Sequence, residues 1–307
     1  MKLSIPQLKK RDNSSLPQTN RLIGDIYKVF DFCNDVSFHF GCKNGNIANF
    51  AWEILVSDIP VQQFNILQLK EQIISIYSRR KLYSDCKFLN QFNLKLQIVV
   101  FCDSCDWNND GNHICLVDVK IDSYDCLALI SKFYSQKDFQ KLILENNGIN
   151  LTNKPLKYST TSFEGYLSDI CVTSSRRNDV SLFPGDVDLI LYNDQYLQNC
   201  IIEFKKHTQS GEGNIEDQSF QKYLSYDKKK YEGLCQLAKK LDLKHFYNII
   251  YSTKNNELNK IKIEKVSVGL ELCSFEMISF TGVTDLKQKL QSYFKLKQKT
   301  NNNYLSR

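Results

Sequence analysis

The sequence predicts an α/β protein: an N-terminal α+β region followed by a mixed β-sheet core flanked by helices. Three observations point that way. Short apolar runs bounded by turn residues alternate with stretches whose apolar residues recur at helical spacing. Two such runs, Leu189-Ile190-Leu191 and Cys200-Ile201-Ile202, flank the turn residues Tyr192-Asn193-Asp194-Gln195 and read as a hairpin. The 307 residues, 42% hydrophobic and 24% charged, have the balance of a globular chain that buries one large core or two ordinary ones.

Residues 1–18 carry Lys9-Lys10-Arg11 and two prolines and read as a flexible basic arm. Leu22, Ile23, Ile26, Tyr27 and Phe30 predict a helix over 19–32. Gly41 to Asn46 is a turn. Ile47, Phe50, Ala51, Ile54 and Leu55 fall on one face of a second helix, which Pro60 ends. A third helix spans 66–83 with Leu69, Ile73, Ile76 and Tyr77 inward. Its Arg79-Arg80-Lys81 suits the negative end of a helix dipole. Strands follow over 94–102 and 113–121. Three helices and a hairpin fit either a winged-helix DNA reader or a helical layer over a sheet.

Residues 127–133 and 138–144 read as helical, and Asn146-Asn147-Gly148 stops the second. The polar stretch 147–159 places a domain boundary near 150, dividing the chain into 19–150 and 151–298. Thr161-Ser162-Phe163-Glu164 is a capping box opening a helix through Phe163, Tyr166, Leu167, Ile170 and Cys171. After the hairpin and a loop over 208–214, a helix is predicted from Phe220 to Leu241, broken near Tyr226-Asp227. Tyr231, Leu234, Cys235, Ala238 and Leu241 form its buried stripe. Strands over 246–252 and 260–268 flank an Asn-Asn turn. A last helix starts near Thr284-Asp285 and carries Leu286, Leu290, Tyr293 and Phe294; the tail 299–307 frays. No internal repeat is legible.

The net charge of +6 permits a nucleic-acid partner without requiring one. No apolar run approaches the roughly 18 residues of a membrane span, and the N-terminus lacks the apolar core of a signal peptide. No membrane partner is expected. Eleven cysteines, an odd number scattered over apolar segments, read as free thiols in a reducing intracellular compartment, the cytoplasm or a nucleus. Cys102, Cys105, His113 and Cys115 have the ligand types of tetrahedral zinc. An Asn-Asp-Gly turn that brings cysteines of neighbouring strands together accounts for them better, and the expectation is that they hold no zinc. Asp118-Val119-Lys120 is a second acid-x-lysine on a strand, expected to be dispensable for chemistry.

The chemistry concentrates between Phe183 and His207. Side chains alternate along a strand, so Glu203 and Lys205 share a face while Phe204 takes the other; Asp186 and Asp188 likewise share one. The hairpin thus gathers carboxylates and one ammonium on a sheet surface. Carboxylate oxygens suit Mg²⁺, which needs one or two protein carboxylates plus water and phosphate oxygens. A lysine beside such a cation can position water and offset charge developing on a phosphate. Those are the needs of phosphodiester hydrolysis.

Gly185-Asp186-Val187-Asp188-Leu189-Ile190-Leu191 followed by Ile201-Ile202-Glu203-Phe204-Lys205 resembles the signature of the PD-(D/E)XK nuclease superfamily. Restriction endonucleases, Holliday-junction resolvases and many repair and defence nucleases belong to it. The resemblance covers roughly residues 155–270 and rests on a short motif. It implies a restriction-endonuclease-like core, metal ligands at Asp188, Glu203 and the backbone carbonyl of Phe204, and a catalytic lysine at Lys205. The cofactor implied is Mg²⁺, with Mn²⁺ able to substitute. Asp186 and Glu164 become auxiliary residues; Glu164 is equally the third member of its capping box. Arg176, Arg177, Lys206, Lys228, Lys229 and Lys230 become the cations that meet a nucleic-acid backbone.

The expected activity is therefore a metal-dependent endonuclease that hydrolyses DNA phosphodiesters, in a restriction or defence setting by fold-level analogy. The alternatives are a structure-selective repair or junction-resolving nuclease and a non-catalytic nucleic-acid-binding protein on the same fold. A homodimer is left open.

Overall fold

The structure is a computed structural model describing residues 1–4, 34–43, 46–47, 49–102, 111–146, 183–192, 199–207 and 211–294. It is a mixed α/β protein that divides into two compact units. The first takes in the described residues of Met1–Gln7, Ser37–Val187 and Lys228–Asp242. The second takes in those of Leu8–Val36, Asp188–Asp227 and Leu243–Arg307.

In the first unit, β2 (Asn34–Lys43) pairs antiparallel with β4 (Phe50–Ser57), with the two-residue β3 (Asn46–Ile47) paired back on β2. A 3-10 turn at Val61–Gln63, α1 (Ile66–Tyr77) and α2 (Arg79–Asn90) cross over to β5 (Lys95–Cys102), parallel to β4. Then β6 (His113–Ile121) and β7 (Leu127–Ser135) meander antiparallel, and α3 (Gln136–Asn146) closes the unit.

Three sequence expectations are corrected here. Residues 50–57 are a strand, not a helix. The run Phe50-Ala51-Trp52-Glu53-Ile54-Leu55-Val56 is buried along nearly its whole length, as a strand covered on both faces must be, and apolar residues everywhere satisfy helical spacing by default. The winged-helix arrangement falls with it. Residues 127–135 are likewise a strand, paired residue for residue with β6 from Leu127↔Ile121 to Ser135↔His113. The single helix over 66–83 is two. Ser78 at φ 60° and ψ 150° ends α1, and its hydroxyl accepts the Lys81 N–H at 3.2 Å to cap α2. Leu3–Ser4 form a short strand, β1, against Ser57 and Val56, and the Leu3 N–H donates to Gln72 at 2.6 Å. The first residues are therefore held; 5–18, the helix of 19–32 and the tail 299–307 lie outside the described residues.

In the second unit β8 (Phe183–Tyr192), from Asp188 onward, pairs antiparallel with β9 (Cys200–His207). A 3-10 turn at Ile215–Asp217 leads into α4 (Phe220–Lys240), kinked at Asp227 (φ −113°, ψ 29°), as the sequence leads one to expect. β10 (His245–Ser252) lies parallel to β9. β11 (Lys260–Ser267), β12 (Leu272–Ser279) and α5 (Val283–Tyr293) complete the unit. One face of this sheet is dry: Leu189, Ile202, Ile249, Ile261 and Ile263 pack with Leu286 and Leu290 of α5. Each such side chain contributes about 1.5–3 kcal/mol by leaving water.

The two units run the same course. Along the chain, β2 to α3 and β8 to α5 each give an antiparallel pair, a 3-10 turn, a helical crossover broken partway, a parallel strand, a two-strand meander and a closing helix, although Lys228–Asp242 after the second crossover's break belong to the first unit. β4 and β9 have equal lengths, as do β5 and β10. The same number of residues separates partners across the two crossovers, Phe50 from Lys95 and Ile202 from Tyr247. The fold repeats although the sequence shows no repeat.

Candidate active site

The second face of the second sheet, opposite the dry core, carries a polar row. Glu203 pairs with Asn248 across β9 and β10, and Asn248 with Glu264 across β10 and β11. Asp188 extends the row on β8, one step beyond the paired Leu189 and Ile202. Glu203, Asn248 and Glu264 are all fully buried. Burying carboxylates is costly unless cations and donors surround them. Lys205 Nζ lies 3.1 Å from Glu203 Oε1 and 2.9 Å from Asp227 Oδ2. Lys262 Nζ lies 3.3 Å from Glu264 Oε1, and the other Glu264 oxygen accepts the Phe220 N–H at 2.7 Å and the Asn248 amide at 3.1 Å.

Alternation along β9 puts Glu203 and Lys205 on this face and Phe204 in the dry core. Just past the paired stretch, Asp188 Oδ2 accepts the Phe204 N–H at 2.7 Å, which fixes that carboxylate beside Glu203. The structure thus brings Asp188, Glu203 and Lys205 together, as the alternation argument expects. It adds residues that sequence reasoning missed. Asp227 reaches Lys205 because the kink in α4 ends its helical turn there; the Tyr226-Asp227 break was the available signal. Tyr223 places its ring 5.8 Å from Lys205 Nζ, and burial, with the Glu264 charge, pushes its hydroxyl up to about 12. Tyr251 is raised too, first by burial and then by the Asp188 charge. Asn248 and Glu264 gave no signal, since only strand register sets them in the row.

Of the other expected site residues only some are described. Lys206 follows Phe204 by two and alternates to its face, away from Lys205; desolvation lowers its pKa. Lys228, Lys229 and Lys230 belong to the stretch of α4 in the first unit; Lys228 pairs loosely with Glu232 at 3.9 Å. Asp186 lies in β8, with its side chain outside the described residues, as are Glu164, Arg176, Arg177 and Cys105 altogether. Among the zinc-type quartet, Cys102 and Cys115 are buried, and burial pushes the Cys115 thiol up to about 12. His113 Nδ1 meets the Gln62 amide at 2.5 Å.

The first unit serves as an internal control. The positions matching Glu203, Asn248 and Glu264 are Glu53, Ile98 and Val117, by the same strand pairings. Opposite Glu53 on β2, one step from the His39↔Trp52 pair, stands Phe38 in place of Asp188. Leu55, fully buried, stands in place of Lys205. Among the described residues no group of three or more His, Cys, Asp or Glu side chains gathers as a metal cluster. No family model, curated protein or solved structure matches the chain.

Proposed function

We propose that the second unit is a metal-dependent nuclease of the PD-(D/E)XK kind, with a restriction-endonuclease-like core, acting on DNA phosphodiesters. One observation carries the reading. On one strand topology used twice, both units keep a glutamate, Glu53 and Glu203, while the register positions of Phe38, Leu55, Ile98 and Val117 in the first are those of Asp188, Lys205, Asn248 and Glu264 in the second. The fold stands without the polar set, so its presence in the second unit calls for a chemical reason.

The residues fit a hard cation. Asp188 and Glu203 offer two adjacent carboxylates, and Mg²⁺ takes one or two such ligands and completes its shell with water and phosphate oxygens. The Phe204 carbonyl is the third donor in this reading. When bound, the cation supplies charge neutralisation at the phosphate and an acidified water. The chain's own residues do the rest. The Phe204 N–H holds Asp188 Oδ2 and orients the carboxylate. The Lys205 ammonium, steered by Glu203 and Asp227, orients the attacking water and stabilises charge developing on the scissile phosphate. Asp227 is a positioning residue, and the Tyr223 ring shields one side of Lys205 from solvent.

A second reading has its own support. Lys205 sits between two carboxylates beside a fully buried Glu203, the form of a structural ion-pair network in a non-catalytic nucleic-acid-binding protein. One experiment separates the two: cleavage of duplex, single-stranded and branched DNA and of RNA with Mg²⁺ or Mn²⁺, by the wild type and by Asp188→Ala. Metal-dependent cutting of DNA lost in the variant supports the nuclease. Binding without cutting in either protein supports the network.

A further inference from the structure

The first unit holds a cavity of about 560 Å³ lined mainly from β5, β6 and β7, with Phe50 of β4, Asn90 of α2 and Leu142 of α3. It shares no residue with the site above. Its lining includes Lys95, Lys120, Lys132, Asp118, Gln97 and Tyr134. We propose that this cavity is a separate binding site for a phosphate-bearing small molecule of mononucleotide size.

Basic side chains outnumber acidic ones in the lining. Gln97 and Asp118 pair across β5 and β6, and two residues further along the same strands stand Lys95 and Lys120. The paired ladder ends at Gln97 and Asp118, and both lysines stand exposed beyond it, one on each strand. Asp118 pairs with neither: it accepts the Gln97 amide at 2.6 Å and lies 3.8 Å from Lys132. Among the described residues neither Lys95 nor Lys120 has an acidic partner. An anion entering the cavity meets both ammoniums, and lysine is a phosphate binder that acts as a point charge.

The two units differ at this place. At the place of Gln97 the second unit has Tyr247, whose ring packs edge-on against Tyr293 at 6.1 Å and Phe294 at 5.1 Å. Those aromatics close the space beside the sheet. In the first unit Gln97 stands there instead, and it lines the cavity. The open volume lies within the roughly 300–1,000 Å³ of small-molecule sites. Lysines suit the phosphate, Asp118 and Gln97 suit hydroxyl or amino donors, and the Tyr134 ring offers a stacking face for a base.

Trp52 gives the readout. Its buried indole N–H donates to Gln97 Oε1 at 2.8 Å, and the chain has only two tryptophans. The full-length protein is titrated with AMP, ATP, inorganic phosphate and a single-stranded oligonucleotide, followed by tryptophan emission and equilibrium dialysis. Saturable binding of AMP or ATP is expected. It should weaken at least about tenfold in Lys95→Gln/Lys120→Gln, a variant of exposed side chains that should melt with the wild type. It should be unchanged in Asp188→Ala, so that success or failure here is separate from the nuclease reading. In Trp52→Phe the emission change should vanish while dialysis still registers binding. No saturable uptake of either nucleotide, or uptake indifferent to the double variant, overturns the proposal. Binding of the oligonucleotide alone overturns it too, in favour of a nucleic-acid track.

Discussion

Lys205 does two jobs at the residue scale, and they can be separated. It neutralises a fully buried carboxylate, and in the proposed function it handles water. Lys205→Ala, Asp188→Ala and Glu203→Gln should each lower metal-dependent cleavage by about a hundredfold or more, measured in single turnover. Only the last two should weaken Mg²⁺ binding, because lysine repels the cation. Lys205→Ala should also cost about 3 kcal/mol in urea denaturation, since it strips the ammonium from Glu203. Asp227→Asn should retain more cleavage than Lys205→Ala, because the Glu203 contact still steers the ammonium. Near-wild-type cutting by Lys205→Ala would remove lysine from the chemistry. Gly213 is a conformational residue: its φ is +71°, and a Cβ there would meet Asp217 Oδ2 at 3.0 Å. Gly213→Ala should destabilise by about 1–2 kcal/mol without changing the salt or metal dependence of any activity.

The breaks in the crossover helices matter at the scale of elements. Both units interrupt their crossover, at Ser78 in one and Asp227 in the other. At Ser78 the backbone is strained and the hydroxyl compensates by capping α2. Ser78→Ala should cost about 1 kcal/mol, and Ser78→Gly less, because glycine loses the cap but relieves the positive φ. Equal losses in the two variants, read from thermal melts, would mean that strain plays no part. At Asp227 the break turns a carboxylate toward Lys205, so the same architectural device serves packing in one unit and the site in the other.

Two predictions belong to the whole molecule. If Asp188 and Glu203 hold Mg²⁺ only in the folded chain, the cation raises the melting temperature by mass action. The gain is about 2.7 kcal/mol at a hundred times the dissociation constant, and it should disappear in Asp188→Ala. An equal Mg²⁺ effect in that variant would place the cation elsewhere. DNA affinity should fall steeply with salt as counterions are released. Arg176→Ala with Arg177→Ala should reduce the slope of log affinity against log salt by roughly one per lost phosphate contact, leaving sequence preference unchanged. An unchanged slope would move the DNA off those arginines.

Much of the second unit was determined by local sequence. Its apolar runs are short and bounded by turns, its helices have clear stripes, and alternation alone put Glu203 with Lys205 and Phe204 on the other face. Even the kink near Asp227 was legible. The first unit was harder for a physical reason. A strand buried on both faces, such as Phe50–Ser57, has no alternation to read, and Leu127–Ser135 is defined by its pairing with β6 more than by its own pattern. Only the tertiary structure decided what depends on register between distant segments. Asn248 and Glu264 join the row, Lys95 and Lys120 come to neighbouring strands, and two stretches without visible likeness follow one topology. A topology persists under wide side-chain change because burial and backbone pairing define it, while chemistry resides in the few positions where Phe38 and Leu55 are exchanged for Asp188 and Lys205.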